Sequence, residues 1–143
     1  MCVNKNTGEK KLFHKVSEID KDFERISDHA ENIVEYLDLI KSRKATISEQ
    51  GLSELRLLAD ATLKSIKESM IIFATEDYDR IPEAEELEQT VDRIQTEIVN
   101  SHIERLMKDS CNPAGGVIFA DMSTDLERSS DHAINVACAL AEI

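Results

Sequence analysis

Residues 22–37 read DFERISDHAENIVEYL and residues 125–140 read DLERSSDHAINVACAL; they agree at 9 of 16 positions, sharing Asp-x-Glu-Arg-x-Ser-Asp-His-Ala-x-Asn. Helical periodicity constrains apolar positions and leaves polar identities free, so agreement at polar positions marks a true repeat. Each copy lies in a run with helical apolar spacing. Leu12, Val16, Ile19, Phe23, Ile26, Ala30, Ile33, Leu37 and Ile40 step by four and three, which predicts one stripe along one helix. Phe119, Met122, Leu126, Ala133, Val136, Leu140 and Ile143 form the matching stripe around the second copy.

Two further helices lie between the copies. Leu52, Leu55, Ala59, Thr62, Ile66 and Phe73 mark the second, with Thr46 and Glu49 as a capping box. Leu87, Val91, Ile94 and Ile98 mark the third, with Pro82 near its start. Asn112 as cap and Pro113 as first residue open the fourth. The connections near Arg43–Ser48, Glu76–Pro82 and Asp109–Pro113 are short, and short links join antiparallel neighbours. The expectation is an all-α, antiparallel up-and-down bundle of four long helices over residues 12–143, preceded by a flexible polar end at residues 1–11.

Composition agrees. Aromatics are only 4%, with four Gly and two Pro in 143 residues, a profile that disfavours sheet and long turns. A net charge of −12 disfavours nucleic acid and anionic membrane and leaves cations or basic proteins as partners. Cys2, Cys111 and Cys138 are odd in number and form no CxxC pair, which points to a reducing compartment. No apolar run approaches the length of a membrane span.

If the stripes occupy heptad positions a and d, Glu24 and Asp28 fall at b and f, as do Glu127 and Asp131. Such positions face away from the seam, so these carboxylates are expected on the outer face of the bundle. Four residues span one turn, about 6 Å of rise, so each Glu–Asp pair can serve one site. Arg25, Asn32, Arg128 and Asn135 flank them at c, while Asp22, His29, Asp125 and His132 border the core at g. With 29 acidic residues, a single Glu-xxx-Asp carries little weight, and Arg25 is spaced for an ordinary salt-bridge lattice. Duplication favours a balancing cation, and oxygen ligands suit Mg²⁺, Mn²⁺, Ca²⁺ or iron rather than structural zinc.

Other chemistry finds less support. No His has a Glu three residues before it, which removes the ferritin-like di-iron pattern. Ala114-Gly115-Gly116 lacks the Lys-Ser/Thr of a phosphate loop and reads as a tight helix start. No catalytic constellation stands out, so a non-enzymatic role is expected.

The repeated Glu-Arg-x-x-Asp-His-Ala-x-Asn resembles the signature of the PhoU family. Ser101-His102-Ile103-Glu104-Arg105-Leu106 and Cys111-x-Pro113-x-Gly115 extend the likeness to the PhoU-like domain at the C-terminus of bacterial sodium/phosphate cotransporter family proteins. A full PhoU-like domain has six helices with motifs on the third and sixth; this chain resembles its last four. The resemblance implies a cytoplasmic regulator of phosphate uptake that binds a divalent or trivalent metal, iron in some members. Its ligands would be Glu24, Asp28, Glu127 and Asp131, with Asp22, Asp125, Asn32 and Asn135 as second contributors. Implied partners are a transporter membrane domain, another phosphate-transport or signalling protein, or a second copy in a homodimer. The family usually has Gly where this chain has Ser27 and Ser130; a hydroxyl there is expected to narrow the site or supply a hydrogen bond. The rival reading is a purely structural interaction module whose acidic face docks a basic partner.

Overall fold

In a computed structural model of the chain, residues 2–108 and 112–142 are described, with side chains from residue 8 onward. Four helices form: α1 Cys2–Lys41, α2 Glu49–Thr75, α3 Ile81–Met107 and α4 Pro113–Ala139. One 3-10 turn, Tyr78–Arg80, leads into α3. Among the described residues there is no strand, so the all-α bundle is the fold. The Ile143 end of the fourth stripe, the start of the last connection at Asp109, the Cys111 thiol and the Cys2 side chain lie outside the described residues.

The helix ends follow local chemistry. Asn112 caps α4, its Oδ1 accepting from Gly115 N at 2.9 Å, and Pro113 takes the first position, where no N–H is required. At α2 the cap is Ser48, whose Oγ accepts from Gly51 N at 3.1 Å, rather than Thr46. Thr46 instead runs against α4. A Cβ on Gly115 would stand 1.9 Å from the Thr46 carbonyl oxygen, so only glycine admits this approach. Glu76 ends α2 in the left-handed region, φ 57°, with its N–H on the Ile72 carbonyl.

α4 is the central helix. It packs against α1, α2 and α3, while α2 also packs on α3 and α1 rests chiefly on α4. Small buried residues on α4 (Ser123, Ser129, Ser130, Ala133 and Ala137) let three helices approach it. The main core joins Leu55, Leu58, Val91, Ile94, Ile98, Phe119, Met122 and Leu126 from α2, α3 and α4. Ile19 of α1 meets Val136 and Ala139, with Met70 and Phe73 of α2 alongside.

The α1 stripe is buried less than its periodicity predicts. Ile19 is buried, yet Leu12, Val16 and Leu37 are 47%, 53% and 48% exposed. The reason is geometric: α1 leans on α4 along one edge and makes little contact with α2 and α3, so part of its apolar face has no helix opposite.

Candidate functional site

α3 and α4 run antiparallel, and each carries a Glu-xxx-Asp pair on the side facing the other. The pairs are Glu88 and Asp92 on α3, and Glu127 and Asp131 on α4. One carboxylate oxygen from each of the four lies within 4.8 Å of the others. Glu88, Glu127 and Asp131 are half-buried, and Asp92 Oδ1 is buried with no hydrogen-bond partner. Four like charges cannot crowd together in partial burial without response. Burial, together with the Asp131 and Asp92 carboxylates, pushes the carboxyls of both Glu88 and Glu127 up to about 8.

The donor set is all oxygen, with two residues from each of two helices and one buried oxygen awaiting a partner. That set fits a hard cation such as Mg²⁺, Mn²⁺, Ca²⁺ or iron, and lacks the thiolate or imidazole of a structural zinc site. A cation there would satisfy Asp92 Oδ1 and offset the mutual repulsion of the acids.

The sequence-predicted residues separate into three places. Glu127 and Asp131 enter the cluster; their expected position on the outer face is corrected. A heptad with one seam turns b and f outward, whereas α4 is covered on three sides, so its b and f positions face α3. Glu24 and Asp28 do lie exposed on α1, with no second carboxylate pair opposite among the described residues. Glu88 and Asp92 were not singled out from the sequence, although their spacing is the same Glu-xxx-Asp as in the two motifs.

Asp22 and Asp125 lie away from the cluster, in the α1–α4 interface. His29 Nδ1 meets Asp125 Oδ1 at 2.7 Å and His132 Nδ1 meets Asp22 Oδ1 at 3.0 Å. The two imidazoles stack, with centroids 5.6 Å apart and planes at 17°. Each motif thus donates its His to the other motif's Asp, and the repeat is a reciprocal clasp. Asn32 lines the groove beside this pair, and Asn135 lines an adjoining groove with Asp22. Ser130 Oγ bonds Ser65 Oγ on α2 at 2.7 Å. Its hydroxyl supplies a buried helix–helix bond; Ser27 is exposed on α1.

The PhoU domain family matches residues 55–140, which span α2 from Leu55, all of α3 and α4, and the whole carboxylate cluster. Over 115 residues the chain is 28% identical to the phosphate-specific transport system accessory protein PhoU homolog 1 of Thermotoga maritima. That alignment covers 80% of this chain and 49% of the relative, so the chain spans about half the relative's length. No solved structure matches significantly.

Proposed function

We propose, from the premise that this chain belongs to the PhoU domain family, that it is a non-enzymatic regulatory module of phosphate transport that holds a metal ion at Glu88, Asp92, Glu127 and Asp131. The observation that carries the metal reading is the convergence of four carboxylate oxygens within 4.8 Å, one of the residues contributing a buried, unpartnered oxygen. The regulatory reading is supported by the relative's own description as a transport accessory protein.

Glu24 and Asp28 carry the same spacing on α1 and would form the equivalent half-site, completed by carboxylates from another helix. The uncovered apolar stripe of α1 is the surface open to such a partner. We assign it to the membrane domain of a sodium-dependent phosphate cotransporter, or to a second copy of this chain. The place of action is the cytoplasmic side of the membrane. Among the described residues no helix is long and apolar enough to cross a membrane.

Elemental analysis and titration with Mn²⁺ and Fe²⁺ test the metal reading. The chain should bind saturably, and a Glu88→Gln/Asp92→Asn/Glu127→Gln/Asp131→Asn variant should not. Equal binding by the two would sink it. The transport reading is tested by measuring sodium-dependent phosphate uptake in cells lacking residues 12–143. Unchanged uptake at both low and high external phosphate would refute it.

A second reading has one observation in its favour. Glu24, Asp28, Glu31 and Glu35 form an exposed acidic line on α1, suited to a basic partner. Salt-sensitive docking that survives chelation would favour this interaction role over the metal role.

A further inference from the structure

Beside the clasped histidines, α1 and α4 enclose an open groove of about 420 Å³. Its walls carry corresponding residues from both motif copies. Arg25 and Arg128 stand on either helix, as do His29 and His132, and Asp28 and Asp131; Asn32 completes the lining. The two guanidinium groups share this one groove. On a chain of net charge −12, each is exposed and makes no hydrogen bond or ion pair among the described residues. Arg80, Arg93 and Arg105 are paired with Glu68, Glu97 and Glu54, and Arg43 and Arg56 are exposed but do not line this groove. Two uncommitted arginines facing one groove, in a protein with surplus carboxylates, point to a ligand that supplies the negative charge.

We propose that this groove binds a hydrogen-phosphate group, held between Arg25 and Arg128. The planar guanidinium fork matches phosphate oxygens in paired hydrogen bonds. The remaining groups select the protonated form. In the neutral imidazole, Nδ1–H directed at the aspartate leaves Nε2 as an acceptor. Asp28 and Asp131 add further acceptors, and the Asn32 amide offers both roles. A fully deprotonated oxyanion such as sulfate would set its lone pairs against those acceptors. Hydrogen phosphate carries a P–OH that donates to one of them while its other oxygens accept from the arginines. The site therefore discriminates by the ligand's proton, because an acceptor left facing an acceptor costs binding energy. This inference stands on the groove's own donors and acceptors and not on metal in the carboxylate cluster, although Asp131 borders both.

Calorimetric titration of the full chain, stripped of metal with a chelator, with inorganic phosphate near neutral pH tests it. Saturable binding is expected, with sulfate at least about tenfold weaker. Arg25→Gln/Arg128→Gln should weaken phosphate binding at least about tenfold. Both side chains are exposed, and a thermal melt checks that the variant folds. Glu88→Gln/Glu127→Gln should bind phosphate as the wild type does, so loss of the metal reading leaves this result intact. Glycerol 3-phosphate, largely without a P–OH near neutral pH, should bind more weakly than the free ion, and equal or tighter binding overturns the discrimination by the ligand's proton. No saturation by either up to about 10 mM, the weak end of specific affinity, overturns the proposal. So does equal binding of sulfate, or an arginine variant indistinguishable from wild type.

Discussion

His29 Nδ1 donates to Asp125 Oδ1 across 2.7 Å, and Asp125 is only 7% exposed, so the imidazole is what satisfies a buried carboxylate. His132 makes the mirror bond to the half-buried Asp22 at 3.0 Å. Together they fix the register of α1 on α4. A slip of one turn would break both bonds at once, because each helix supplies one donor and one acceptor seven residues apart.

His29→Ala should therefore destabilise the chain by about 1–3 kcal/mol, the cost of a buried acceptor left without its partner. Urea unfolding measures it. A double-mutant cycle with Asp125→Ala should recover part of the loss, since the orphaned carboxylate is then gone. Additive losses would show that the bond contributes nothing specific.

Ser65 and Ser130 share a buried bond of 2.7 Å between α2 and α4. Ser130→Ala should cost about 1–3 kcal/mol by stranding Ser65 Oγ, whereas Ser65→Ala/Ser130→Ala together should be nearly neutral. Thermal melts of the three proteins distinguish these outcomes. Metal affinity should be unchanged in Ser130→Ala, because the hydroxyl bonds to α2 and not to the carboxylates.

The carboxylate cluster makes stability depend on pH. Glu88 and Glu127 titrate at about 8 in the folded chain against an ordinary value of 4.5. Between those values the folded state holds more protons than the unfolded one, so stability falls as pH rises through that window. Relative to Glu88→Gln/Glu127→Gln, the metal-free wild type should lose stability steadily from about pH 4.5 to about pH 8. Denaturant midpoints across that range measure the difference. Under the metal reading, Mn²⁺ at the upper end should restore stability to the wild type and not to the variant.

Gly115→Ala places a methyl group 1.9 Å from the Thr46 carbonyl oxygen, a backbone atom that cannot swing aside. The α1–α2 connection must move off α4, and a loss of about 1–3 kcal/mol or more is expected. Unfolding by urea checks it, with Gly8→Ala as the control, since a Cβ at Gly8 meets nothing within 4 Å.

Much of the architecture was legible before any coordinates. The three-and-four spacing of apolar residues, Pro82, and the Asn112-Pro113 pair gave four helices in the expected order, because these signals act within a few residues of the chain. Half of the candidate site was legible too: Glu127 and Asp131 stand in a repeat conspicuous for its polar identity. Glu88 and Asp92 escaped notice because an acidic chain is full of such pairs, and nothing local says which pair meets another. Their shared Glu-xxx-Asp spacing was the one available signal.

By itself, then, the sequence determined the repeat, the helices that carry it and the oxygen-donor chemistry of its acids. Tertiary structure alone decided what each repeated residue does. The positions of a helix that are inside or outside depend on how many neighbours surround it, and that is a property of assembly, not of period. With three neighbours, α4 turns Glu127 and Asp131 toward α3 and its acids. With essentially one, α1 leaves Glu24 and Asp28 exposed on the outside. The same motif is therefore half of a four-carboxylate cluster in one copy and an open pair in the other.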